Sequence, residues 1–387
     1  MLFPLVLILV SVLALPPCSL NGIIDSSGSC LCDPGWTSET CGELKLLPAA
    51  PLTDSTQVYF HPSNGGASGG GYIDNSWGIS VLPDDSGKLF HGYMTELEGN
   101  CSLSSYSTTS RILHLTSPSP LGPWSLEGIA LNAFAHNPQV VRDTDGAWLL
   151  FHIGIQQPPV CNPRCVNGKI YNTTGCTSSA KGTSVARSPS PYGPWERVPF
   201  ILPNNETNPS ALVLANGSIL LTARRWEGGV PMYTAPSWRG PYTLLPLAPV
   251  VPVGTGNPGA FDEDPYLFRN DHGWHILTHR QSNGTSCSPT DPKTECRCQG
   301  GHMYAEDPIA GPWFFDLKPL FNCSVNIARS QDPLRLWARQ RPTLLFRRAA
   351  PNMSPCPLLL YTGASTDPVS QYYSSFTMVQ EIDCGAN

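Results

Sequence analysis

The sequence predicts an all-β chain in which five units of about four strands each repeat radially as a five-bladed β-propeller, behind a small cysteine-rich N-terminal module. Three observations predict it. A Gly-Pro-aromatic turn recurs: SPSPLGPW ends at Trp124, SPSPYGPW at Trp195, APSWRGPY at Tyr242 and EDPIAGPW at Trp313. A hairpin unit alternates with it: Pro138, Pro209 and Pro265 each open an apolar strand, and a turn glycine (Gly146, Gly217, Gly273) follows eight residues after each. The composition, 40 Pro and 35 Gly in 387 residues, suits a turn-rich β protein rather than a helical one.

The elements follow in chain order. Leu2 to Leu15 is apolar and uncharged, too short to span a bilayer. Residues 1–15 read as a secretory signal peptide, with Ala14 near the cleavage point. The stretch CSLNGIIDSSGSCLCDPGWTSETC, Cys18 to Cys41, is too short to bury a core, so cross-links must hold it. The propeller is expected over residues 50–387. Its first unit is SWGISVLPDDSGKLFHGYM from Ser76, with the proline lost. The next three are HNPQVVRDTDGAWLLFHIG from His136, TNPSALVLANGSILLTARR from Thr207 and EDPYLFRNDHGWHILTHR from Glu263. The last is RQRPTLLFRRAAPNMSPCPLLLYTG from Arg339, with a longer turn. Each unit pairs two apolar runs across a turn rich in Asp, Asn or Gly, as tight turns prefer. Third strands follow as SRILHLTS (Ser110–Ser117) and GTSVARS (Gly182–Ser188). These units are too long, and too free of helical period, for a linear solenoid.

A formal net charge of −6 and the lack of any Lys/Arg cluster argue against nucleic-acid binding. No segment after the leader is apolar for long enough to cross a membrane, so no insertion is expected once the leader is removed. The 14 cysteines, an even number, indicate disulfides in an oxidising compartment. Sequons begin at Asn100, Asn172, Asn205, Asn216, Asn283, Asn322 and Asn352. Together these predict a secreted, extracellular glycoprotein. The pairing of the propeller cysteines is left open. No zinc pattern is present, and no cofactor is expected; the residues give no support for a structural calcium.

The C-x-C-x-x-G-W-x4-C ending of the N-terminal module, residues 18–43, resembles the C-terminal half of an EGF-like module. The resemblance implies the pairs Cys18–Cys30 and Cys32–Cys41. It leaves two readings open, a surface for a protein partner and a disulfide cap leading into the main domain. The repeated X-Pro hairpins and SPSPxGPW turns of residues 50–387 resemble the five-bladed glycoside hydrolases of the arabinanase and β-xylosidase family, family 43, and its sucrose- and fructan-cleaving relatives.

In a propeller the residues just before each inner strand face a central pit. By the repeat alignment these are Ser76–Trp77, His136–Asn137, Thr207–Asn208, Glu263–Asp264 and Gln340–Arg341. Glycoside hydrolysis usually needs two carboxyl groups, one protonated and one ionised. The resemblance implies that Glu263, two residues before the blade 4 proline, is the general acid. Asp262 and Asp264 beside it would raise its pKa by repulsion. The resemblance implies a base just before the first inner strand, where the nearest match is Asp74. It implies a third carboxylate at the position held by Asn208. An amide there cannot serve as a base, so two readings stand: an inverting glycosidase with a shifted base, or a propeller that binds carbohydrate without cleaving it. His136, Asn137, Asn208, Asp264 and Arg341 are candidates for hydrogen-bonding the sugar, Trp77 for stacking on it, and His302 for facing the pit.

Overall fold

The computed structural model describes residues 16–51, 75–154, 165–166, 169–170, 182–202, 206–225, 229–246, 261–281, 299–316, 318–347, 355–366 and 375–385. The expected leader and Asp74 lie outside the described residues. Among them, five antiparallel meander sheets stand as blades. Blade 1 runs Asn75–Pro83, Phe90–Leu97, Ser110–Ser117 and Ser125–Leu131. Blade 2 runs His136–Arg142, Trp148–Ile153, Thr183–Ser188 and Glu196–Val198, and blade 3 Glu206–Val213, Ile219–Arg225, Met232–Ala235 and Thr243–Leu244. Blade 4 runs Phe261–Arg269, Trp274–Gln281, Gln299–Ala305 and Phe314–Phe315. Blade 5 has Ala338–Phe346, Pro357–Ser365 and Ser375–Glu381. Central strands such as Trp148–Ile153 are buried on both faces, between neighbouring blades. This is why they read as continuous apolar runs instead of alternating ones.

Near its start, each inner strand slips register against its partner. At the slip sits a residue in the left-handed region: Gly78 (φ 73°), Asn137 (52°), Asn208 (54°), Asp264 (56°) and Arg341 (56°). Such a bulge bends the strand and re-aims a side chain, here toward the axis. Asn and Asp tolerate this conformation, whereas for arginine it is uncommon. The bulge also corrects the alignment of blade 1. Ile79 takes the proline position, eight residues before the turn glycine Gly87, so its rim pair is Trp77–Gly78 and not Ser76–Trp77.

One residue further along each inner strand, a side chain ties each blade to the next. Ser80 Oγ accepts from the Val140 amide at 3.1 Å, and Gln139 Nε2 donates to the Ala211 carbonyl at 3.2 Å. Ser210 Oγ accepts from the Leu267 amide at 2.8 Å. Tyr266 Oη donates to the Leu344 carbonyl at 2.9 Å, and Thr343 Oγ1 to the Ile79 carbonyl at 2.7 Å. All five seams, the closing one included, therefore carry a polar bond beside their apolar packing. Blade 5 is completed by the segment that leaves the N-terminal module. Leu46 bridges Ile382 in antiparallel sense, with Leu47 N–H to Glu381 O at 2.8 Å and Asp383 N–H to Lys45 O at 2.7 Å.

The disulfides Cys18–Cys30 and Cys32–Cys41 form within the N-terminal module, and Cys101–Cys165 and Cys356–Cys384 within the propeller. The module does not stand apart. Trp36, Cys18, Cys41 and Leu44 join one apolar cluster with Phe268, Leu277 and Phe321 of blade 4 and Leu344, Leu360 and Ile382 of blade 5. Its geometry is that of the cap.

Candidate active site in the central pit

Asp262, Glu263 and Asp264, adjacent in sequence, diverge in space. Asp264, at the bulge, is buried and gathers groups from four blades. Its Oδ1 accepts from Asn208 Nδ2 at 2.5 Å and from Asn137 Nδ2 at 3.4 Å. Its Oδ2 accepts from the Arg341 amide at 3.1 Å, with His279 Nδ1 at 3.7 Å. Burial alone would push this carboxyl up; His279, Arg341 and Arg224 outweigh it and hold the group below the ordinary carboxylate value. Asp262 points away, accepting from Thr278 Oγ1 at 2.7 Å. Burial dominates there and raises its pKa against the pull of Thr278, Arg280 and His279.

Glu263 is the carboxylate that keeps contact with solvent, its side chain 17% exposed. Arg224 Nη1 lies 2.8 Å from its Oε1, and Asn208 Nδ2 donates to the same oxygen at 3.5 Å. One amide, Asn208, thus forks between the two carboxylates. The expected repulsion does not govern this carboxyl. Asp264 is offset by its own partners, and the charge nearest Glu263 is a guanidinium, which favours the ionised form of a carboxylate.

The remaining candidates fall into place around this cluster. Arg341 is buried; its Nη2 donates to the Asn137 carbonyl at 2.6 Å, and its chain lies over Gly78. Burial holds its pKa down to about 10, against Asp264 and Glu263. Asn137 Oδ1 is buried with no hydrogen-bond partner among the described residues. His136 pairs with Ser110 Oγ at 2.8 Å and packs on Tyr106; burial, helped by Arg341, lowers its pKa to about 3, so the ring is neutral. Trp77 is 2% exposed, its ring against Gly363. His302 does not face the pit. Its Nδ1 meets Asp316 at 2.7 Å, its Nε2 meets His275 at 3.0 Å, and its ring packs on Trp36 of the N-terminal module. The sulfurs of Cys18, Cys30 and Cys41 cluster closely enough for a metal, but all are consumed in disulfides.

Two pit residues escaped the sequence reading, Arg224 and His279. Both open the pit end of a second strand, opposite the residue before the bulge: Thr207 pairs with Arg224, and Glu263 with His279. The repeat register was the available signal. Aligned only on prolines, it treats the doublet Arg224–Arg225 as a strand end, where Arg225 indeed grips Glu206 and Arg224 turns to Glu263.

No protein-family model matches the chain. A stretch of 46 residues, 12% of the chain, is 39% identical to disintegrin and metalloproteinase domain-containing protein 11 of Homo sapiens, and the same holds for that of Mus musculus. The chain spans only 6% of the length of these curated relatives. Among solved structures, a thermostable family 43 glycoside hydrolase superposes with a TM-score of 0.51 at 12% identity, over 82% of this chain and 95% of that one. A family 117 glycoside hydrolase of the marine bacterium Zobellia galactanivorans gives 0.51 at 12% identity, over 85% and 92%. Both are likenesses of fold, and the fold they share with this chain is the five-bladed β-propeller.

Proposed function

We propose that the central pit is a carbohydrate site and that the chain is a secreted glycosidase acting there on a polysaccharide. One observation carries this reading: Glu263 is a solvent-reaching carboxylate on the blade 4 bulge, oriented by Arg224 and Asn208 above a fully buried Asp264. In the proposed reaction Glu263 donates a proton to the glycosidic oxygen as the C1–O bond breaks. Water, deprotonated by a base on the opposite face, adds at C1 and inverts it. Asp74 is the proposed base. The expected outcome for Glu263→Gln is a loss of about 10²–10⁴-fold in turnover of a glycan substrate, with binding kept; full activity in that variant would remove Glu263 from the role.

A second reading, a propeller that binds glycans without cleaving them, draws on the same rim. Of the five bulge residues only Asp264 is acidic, and it is sequestered. Binding without hydrolysis across a broad glycan panel would select it.

A further inference from the structure

The reaction above needs a proton on Glu263, yet the resting pit gives that carboxylate to Arg224. The other cations of the pit region are committed elsewhere. Arg341 is buried on the Asn137 and Pro138 carbonyls, and Arg225 holds Glu206 through two bonds of 2.9 and 2.8 Å. Arg224 differs. It is 18% exposed, beside a partner of equal exposure, and grips a single carboxylate oxygen. A neutral sugar has no group that replaces a carboxylate on a guanidinium; another anion does, and a planar carboxylate matches the arginine fork best.

Resting on the glycosidase reading, we infer that the substrate class is acidic, a uronic-acid-containing glycan whose carboxylate takes Arg224 from Glu263. Recognition and activation are then one event. The sugar carboxylate forms the ion pair, Glu263 loses its counter-charge, and it takes up one proton from solvent. That proton is the one delivered to the glycosidic oxygen. Asn208, neutral and forked between Glu263 and Asp264, holds either protonation state, because an amide offers its donor to a carboxylate and its acceptor to a carboxylic acid.

The test is calorimetric and needs no turnover. Galacturonate is titrated against galactose, and glucuronate against glucose, on the full-length secreted protein at mildly acidic pH, in buffers of differing ionisation heat. Expected are affinities about 10- to 100-fold higher for the uronates and uptake approaching one proton per site with uronates alone. Arg224→Met should erase the preference. Glu263→Gln should keep the preference and lose the proton uptake. Arg224→Lys, which retains the charge if Met disturbs folding, should show a reduced preference; an undiminished one assigns recognition to another group and overturns the inference. Equal binding of acidic and neutral sugars also overturns it while leaving the carbohydrate site standing. No binding of any sugar, with no glycan hydrolysed, overturns both.

Discussion

Asp262 and Asp264 lie two residues apart on one strand and respond oppositely to the fold. Asp264 is the ionised hub on which Asn137, Asn208, His279 and Arg341 converge. Removing its charge leaves Arg341 buried without its counter-ion, so Asp264→Asn is expected to cost about 3–5 kcal/mol in denaturant unfolding. Asp262 is held with a raised pKa by burial, and Asp262→Asn keeps the Thr278 contact without burying a charge. That variant is expected to stay within about 1 kcal/mol of the parent; equal losses for the two would refute the contrast. Three buried histidines set the acid limit of stability. Burial lowers His136 to about 3 and His114 and His152 to about 4, from 6.5. Below 6.5 the unfolded chain takes up protons that the folded chain refuses, so their contribution is lost between pH 6.5 and about 4, and for His136 down to about 3. Asp264, with its depressed pKa, adds a further loss below the ordinary 3.8, while the raised Asp262 works the other way. Thermal melts should therefore fall in midpoint as the pH is lowered from 7 toward 4, and a flat profile would contradict this account.

At the scale of elements, the N-terminal module behaves as part of the propeller. Trp36 is 5% exposed and sits 6.3 Å from the Phe268 ring and 5.4 Å from that of His302. Ser19 donates to Asp316 at 3.0 Å, and Asn270 donates to the Leu20 carbonyl at 2.8 Å. Trp36→Ala is expected to destabilise the whole protein by about 3–5 kcal/mol; unchanged unfolding would mean an independently folded module. The strands themselves were legible in the sequence, because Pro and Gly punctuate runs that must be apolar on both faces. The N-terminal pairs were legible too, through a cysteine pattern. Glu263, Asp264 and Asn208 could be placed at the rim because each stands next to a strand-opening proline. Arg224 and His279 could not, since their place depends on hairpin length, which proline spacing does not report. Blade 1 was misread by one residue because a glycine, not a residue before proline, forms its bulge. His302 was misjudged for a further reason: which face of a blade a strand residue takes depends on the neighbour that covers it, here Trp36.

For the molecule as a whole, β structure dominates the described residues, whose α-helix is the single turn Tyr106–Thr109. A far-UV circular dichroism spectrum with more than about a quarter helix would rule out this architecture, given that mixed proteins reach about a third. The seam residues Ser80, Gln139, Ser210, Tyr266 and Thr343 carry a consequence for connectivity. Covalent linkage joins four of the seams, and the fifth is joined only by packing, by Thr343 to Ile79 and by the strand around Leu46. Yet that fifth seam carries the same kind of bond as the others. Chain continuity is thus interchangeable with non-covalent contact at any seam, and the order of blades in the gene is one of several that describe one ring. A circular permutant with its two ends joined by a flexible linker and opened at the exposed turn Asn216–Gly217 should form the same disulfides and the same pit, beginning and ending in the middle of blade 3.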